Sequence, residues 1–272
     1  MNLSSIKIIS LIGSFFLFLG FINKEHHVFK VKIENTLNFN RKEVVALRFN
    51  DCKDILKFKD FKNLSIQDEN GKLLVTQLID NNFDGRPDEL LFQAAVSSHA
   101  KVVYTIIGDN EINQLIPETN STTYARFVPE RIDDFTWEND KVAFRTYGPK
   151  AQQLTEAGRS DGTLSSGIDL WFKKVSYSII DSWYTNNVAK PGYYHIDHGE
   201  GYDPYHVGSS RGLGGTGIFE NDSLYVSKNF TQYKIIAKGP LRTIFELEYA
   251  PWSKYGIKET KRISLDLGSN FS

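Results

Sequence analysis

Cysteine is all but missing from this chain. Cys52 stands alone in 272 residues, which excludes an internal disulfide framework. An excess of either charge is missing as well: 32 lysines and arginines face 33 aspartates and glutamates, for a formal net of −1. No global basic field is available for nucleic acid, and no long run of one sign forms a tail. Helix patterning is scarce, and AQQLTEAG around residues 151–158 is the one convincing short helix. No repeat of fixed period recurs. The stretch GLGGTG at 212–217 neither follows a clear strand nor opens an amphipathic helix, so it makes a poor dinucleotide fingerprint.

Aromatic residues are plentiful, at 13% with 19 Phe, 13 Tyr and 4 Trp. They favour strands, and short strand-like runs fill most of the chain. HVFKVKIEN and KEVVALRF alternate apolar and polar residues, as half-buried strands do. LSIQDENGKLLVTQLI reads as a hairpin turning at Glu69-Asn70-Gly71. LLFQAAV and KVVYTII follow, and later GIDLWFKKVSYSIIDSWY, SLYVSKNF, YKIIAKG, LRTIFELEY and KETKRISLDL read the same way. The expected fold class is mainly β, with a small sandwich over residues 28–108, a linker over 109–123 and a second β region over 124–272. Ahead of these, Lys7 precedes an apolar run of about 15 residues from Ile8 to Ile22. That is short for a spanning helix and suits a signal-peptide core. Residues 1–23 are therefore expected to be a signal peptide or N-terminal anchor, and the protein to be exported to the periplasm or outer surface. The last strand-like run reaches Leu267 with nothing to cover it, so the second β region is expected to be incomplete at its C-terminus.

Chemistry concentrates between Tyr193 and Lys228. Three of the six histidines (His195, His198, His206) fall in one stretch with Tyr193, Tyr194, Tyr202 and Tyr205, followed by glycines from Gly208 to Gly217. Histidine and tyrosine exchange protons near neutral pH once their surroundings shift them, and glycine density suits a functional loop. A solvated turn-rich loop is the plainer explanation. His195 and His198 with Asp197 or Glu200 would also serve as metal ligands. Arg126, Arg131, Arg145, Arg211 and Lys228 flank the stretch and would suit an anionic ligand. Separately, Asp80, Asn82, Asp84 and Asp88 are spaced like the ligands of a structural calcium loop, although Leu91 stands where an EF-hand needs glutamate. Tight polar turns use the same residues, and no other cofactor is required.

The runs ARFVPERIDDFTWENDKVAFRTYGP, YYHIDHGEGYDPYHVGSSRGLGGTGIF and LYVSKNFTQYKIIAKGPLRTIFELEY, with IDNNFDGRPDELLFQ nearer the N-terminus, resemble a family of exported proteins from polysaccharide-degrading bacteria. That family includes an ulvan oligosaccharide dehydratase. The C-terminal part is similar to galactose-mutarotase-like β-supersandwich domains. The resemblance implies a lyase that removes water from the non-reducing-end uronic acid of an acidic oligosaccharide and leaves a 4,5-unsaturated sugar. His195 or His198 would be the base and Tyr194 or Tyr202 the acid. Arg211 would clamp the carboxylate, assisted by Lys228 or Arg131, with Arg145 and Trp183 as further substrate contacts. A glycoside hydrolase working through two of Asp169, Asp181, Asp197, Glu200 and Asp203 is one alternative. A non-catalytic sugar-binding surface built on Trp137, Trp171 and Trp183 is another.

Overall fold

The computed structural model describes residues 6–10, 27–52, 61–108, 117–208 and 211–270. The chain divides into two compact units, residues 1–119 and 120–272, and the division falls inside the expected linker. Residues 109–116 of that linker lie outside the described residues.

The first unit is an antiparallel sandwich. Strands β1 (Ile6–Ser10), β2 (His27–Asn35), β3 (Arg41–Arg48), β4 (Leu64–Gln67), β5 (Thr76–Ile79), β6 (Glu89–Val96) and β7 (Lys101–Gly108) form two sheets, ordered β1-β2-β7-β4 and β3-β6-β5. Alternate residues face inward. Phe29, Val31 and Ile33 of β2 are buried with Val45 and Leu47 of β3, Ile66 of β4, Phe92 of β6 and Ile106 of β7 in one apolar core. The expected hairpin over residues 64–79 holds only at its tip, where Leu74 N donates to Ile66 O at 2.8 Å. Gly71 supplies its turn at φ 78, and Gln67 bridges Leu73. Beyond that turn the chain changes sheets: β4 pairs with β7 and β5 with β6. Strand β1 lies within the expected signal segment, and residues 1–5 and 11–26 lie outside the described residues. No helix among the described residues is long and apolar enough to cross a membrane.

The second unit carries β8 (Tyr124–Val128), β9 (Asp134–Glu138), β10 (Val142–Thr146), α1 (Pro149–Glu156), β11 (Asp169–Lys173), α2 (Ile180–Ala189), β12 (Gly201–Tyr202), β13 (Gly217–Glu220), β14 (Ser223–Val226), β15 (Phe230–Ala237), β16 (Arg242–Trp252) and β17 (Ile257–Asp266). A five-stranded antiparallel sheet runs β12-β11-β10-β9-β8, a three-stranded one runs β15-β16-β17, and β13 and β14 form a separate hairpin. Phe135 and Trp137 of β9 and Val142 and Phe144 of β10 pack against Phe245 and Leu247 of β16. On the opposite face, Ala143 and Trp171 pack against Ile180, Trp183 and Tyr184 of α2. A sheet covered on both sides reads as continuously buried, as every residue of β9 and β10 is.

Helix α2 corrects an expectation, since residues 167–184 read as strand throughout. Asp169–Lys173 is strand, and the run then becomes helix at Ile180. Ile179 at the N-cap offers no side-chain cap. Glu138 of β9 does the capping instead, accepting from the backbone N–H of Ile179 (3.0 Å) and Ile180 (3.1 Å) and from the Ser178 hydroxyl. A carboxylate suits a helix N-terminus. Lys173 Nζ, 2.7 Å from Glu138 Oε2, keeps this buried charge paired.

Candidate functional site

Strand alternation places the site. Arg145 of β10 pairs with Thr136 of β9 and Asp169 of β11 in register, so these side chains share the face that α2 covers. Two positions along β9, Asp134 shares that face. The Arg145 guanidinium is buried, with Nε 2.8 Å from Asp169 Oδ2, Nη2 3.0 Å from Asp203 Oδ2 and Nη1 3.9 Å from Asp134 Oδ2. Aromatic rings box it in, with Tyr194 at 4.9 Å, Trp171 at 5.2 Å and Tyr147 at 5.5 Å from its carbon. Three buried carboxylates around one buried cation leave negative charge in excess, and burial disfavours the ionised form. Burial pushes Asp134 up to about 6 against the pull of Arg145. Burial, opposed by Arg145 and reinforced by Asp169, pushes Asp203 up to about 7.

Above this cluster sits Tyr194. Its hydroxyl oxygen accepts from Arg145 Nη1 at 2.9 Å and, more weakly, from Arg131 Nε at 3.4 Å. Guanidinium nitrogens only donate, so the tyrosine's own hydrogen is left to be given elsewhere. Arg131 ends a short turn, Pro129–Arg131, and the left-handed Ile132 (φ 46) and Asp133 (φ 69) lead the chain from it into β9. Burial works against the charge on Arg131, while Asp134 and Tyr194 outweigh it and raise its pKa. Among the described residues no carboxylate lies within ion-pair distance of Arg131, whereas Arg126, Arg145, Arg159, Arg242 and Arg262 each have one.

Arg131 and Tyr194 line a cavity of about 670 Å³, joined by His206, Asn187, Asp161 and Thr163. His195 is not among the residues that line the cavity, but it abuts Tyr194, which is, with ring centroids 4.7 Å apart and edge to face. Its Nδ1 lies 3.2 Å from the main-chain oxygen of Asp203. Burial holds the imidazole below its ordinary pKa, partly offset by that contact. A carbonyl can only accept, so this contact is a hydrogen bond in the tautomer that carries its hydrogen on Nδ1, which leaves the lone pair on Nε2.

Other expected site residues lie elsewhere. Arg145 and Trp183 were expected to touch substrate and are interior. Arg145 is spent on carboxylates, and Trp183, 2% exposed, stacks on Trp171 while its indole N–H donates to Glu200 at 2.9 Å. Trp137 and Trp171 are wholly buried too, so the three tryptophans form no sugar platform. His198 stacks on Tyr193 at 4.0 Å, outside the cavity lining. Tyr202 pairs with Phe172 in β12 and is exposed. Lys228 pairs with Glu156 on the surface. Arg211 is exposed, and its main-chain oxygen sits so close to Gly167 that a Cβ there would lie 1.5 Å away. With Leu213 bridging Ile168, this glycine-rich stretch is a backbone clasp. Among the described residues no group of three His, Cys, Asp or Glu side chains is placed to hold a metal ion. In the Asp80 turn, Asp80 accepts from Phe83 N (2.7 Å) and Gly85 N (2.9 Å), and Asp84 from Arg86 N (2.8 Å). Asn82 accepts from Asp84 N (2.8 Å) and Asp88 from Asn81 N (2.7 Å). Asp161, Asn187 and His206 were not singled out as site residues. His206 stands in the same His/Tyr stretch, while Asp161 and Asn187 belong to segments with no chemical pattern of their own.

The chain belongs to the family described as Domain of unknown function (DUF4861), which matches residues 33–272. It is 48% identical over 257 residues to Uncharacterized protein P7 of Formosa agariphila, an alignment covering 92% of this chain and 63% of that relative. The chain thus spans less than two thirds of the relative's length.

Proposed function

We propose that this protein is a carbohydrate-active lyase, a dehydratase that eliminates water from a non-reducing-end uronic acid to give the 4,5-unsaturated residue. The observation that carries the reading is the unpaired, half-buried Arg131 guanidinium beside the Tyr194 hydroxyl in the wall of a cavity large enough for a sugar. Arg131 receives the uronate carboxylate and makes the adjacent C5 proton more acidic. His195 Nε2 takes that proton as the C4–O bond breaks, and Tyr194 gives its hydrogen to the departing hydroxyl, which leaves as water. Exported location, residues 1–23 as its signal or anchor, and a galactose-mutarotase-like supersandwich for the second unit belong to the same proposal. The carboxylates a hydrolase would use are engaged: Asp181 with Arg126, Asp197 with Lys174, Asp169 and Asp203 with Arg145, and Glu200 with Trp183.

The test is ultraviolet absorbance of the conjugated alkene formed from saturated uronate-terminated oligosaccharides, with reducing ends counted in parallel. Absorbance should rise with no new reducing ends, and Arg131→Met should lower kcat/KM by about 10–100-fold, the worth of a charged hydrogen-bonded contact. New reducing ends without the alkene would replace this reading with hydrolysis.

A further inference from the structure

We propose that Asp203 is a positioning residue for His195, fixing its Nδ1–H tautomer so that Nε2 keeps the lone pair of a base; this rests on the lyase reading above. Asp203 touches His195 twice. Its main-chain oxygen lies 3.2 Å and its Oδ2 lies 3.3 Å from Nδ1. Neither group can drift. Asp203 N donates to Tyr194 O at 2.8 Å, its Oδ1 accepts from Tyr205 N at 3.1 Å, and its Oδ2 is held by Arg145 at 3.0 Å. The Asp203 side chain is fully buried while the histidine ring is 46% exposed. The carboxylate is thus fixed from inside and the imidazole keeps access to solvent. Orientation of a catalytic imidazole by a buried acceptor on its far nitrogen is a general device, because it selects the tautomer and steadies the ring once protonated. Arg145 therefore does two jobs at one distance scale: it donates to the Tyr194 oxygen and anchors the carboxylate behind His195.

The groups facing Asp203 are Arg145 from β10, Asp169 from β11, Tyr147 just beyond β10, and His195 itself, with Asp134 of β9 acting through Arg145. Burial and the Asp169 charge hold Asp203 near neutrality. When His195 takes a proton at Nε2, its Nδ1 hydrogen keeps the main-chain oxygen and the carboxylate of Asp203 beside it as acceptors.

Nitrogen-15 NMR of the imidazole rings in the full chain, recorded without substrate, tests the assignment. His195 should be in the Nδ1–H form. In Asp203→Asn, the one atom that meets both Arg145 and Nδ1 becomes either a neutral amide oxygen or the NH2 group, a weaker acceptor or none, so the ring should shift toward the Nε2–H form. With oligosaccharide, that variant should lose about 10²–10⁴-fold in kcat with KM little changed, and its kcat/KM should lose the limb of the pH profile that the His195–Asp203 pair supplies. An Nε2–H ring in the parent, or an Asn variant with parental tautomer and kcat, overturns the proposal. Because the tautomer is read without substrate, an inactive parent whose ring still shifts in Asp203→Asn sinks the lyase reading and upholds the positioning role. If Asp203→Asn does not fold, the parent decides: the Asp203 carboxyl carbon and the His195 ring must each report the other's titration, and independent titrations overturn the pairing.

Discussion

The two units of this chain bury opposite kinds of residue. In the first, the sandwich interior is apolar, and the described buried polar residues are Asn35, Ser65 and Gln77, all neutral. Asn35 is fully used, donating to Val96 O and Ser97 O at 3.1 Å and accepting from Leu37 N at 3.1 Å. In the second, Asp134, Glu138, Arg145, Asp169 and Asp203 are all interior. Burying a charge costs several kcal/mol even when it is paired, and apolar residues of similar size would hold a sheet together at least as well. Such groups are worth keeping where they shift pKa values or orient a reacting group. On the lyase reading proposed above, the contrast fits a first unit that is scaffold and a second that carries the chemistry.

Arg145→Met puts that contrast under the greatest strain. It leaves three buried carboxylates without their cation, and removing one partner of a buried ion pair costs about 3–5 kcal/mol. Urea unfolding should show this through tryptophan emission, because Trp137, Trp171, Trp183 and Trp252 all belong to residues 120–272. An unshifted midpoint would make the cluster energetically idle. Tyr194→Phe should lower kcat by about 10²–10⁴-fold and lower stability by only about 1–3 kcal/mol, the cost of the acceptor that Arg145 Nη1 loses, since the ring's stack on Trp171 at 5.0 Å survives. Loss of folding in place of turnover would move Tyr194 from chemistry to scaffold.

The pH dependence sharpens the comparison further. Asp134 and Asp203 are raised in the folded chain, to about 6 and about 7, so between pH 4 and those values the folded state binds more protons than the unfolded one. Stability must then fall as pH rises through this window. His195, lowered by burial, acts the other way below its ordinary pKa of about 6.5, with one proton against two. The emission-detected melting temperature should therefore be lower at pH 8 than at pH 5, and the reverse order would contradict the raised carboxylates. The smallest effect is expected at Arg159, whose fork with Asp161 is exposed. Arg159→Ala should leave the melting temperature unchanged, as exposed pairs contribute little.

Much of the architecture was legible because it is local. Alternation in HVFKVKIEN and KVVYTII located β2 and β7, and AQQLTEAG located α1, which begins two residues earlier, at Pro149. Sheet membership was not legible, because β4 and β5 look like a hairpin and diverge only when each finds its partner. Tyr194 and Arg131 were readable as chemistry-bearing residue types, and they do meet at the cavity. Arg145 and Trp183 were expected at a surface because their types favour sugar contacts. Burial depends on α2, which carries Trp183, covering the face of the sheet that holds Arg145, and α2 was itself read as strand for want of a cap in its own segment.

That borrowed cap has a kinetic meaning. The first turn of α2 is completed by Glu138, some forty residues earlier in the chain and on a strand that must already be paired. Without Glu138 in place, Ile180–Ala189 is a ten-residue segment too short to hold a helix alone. The helix should therefore form late, docking onto a finished sheet. Glu138→Gln should then speed unfolding more than it slows folding, and α2 should be among the earliest segments of the second unit to come undone.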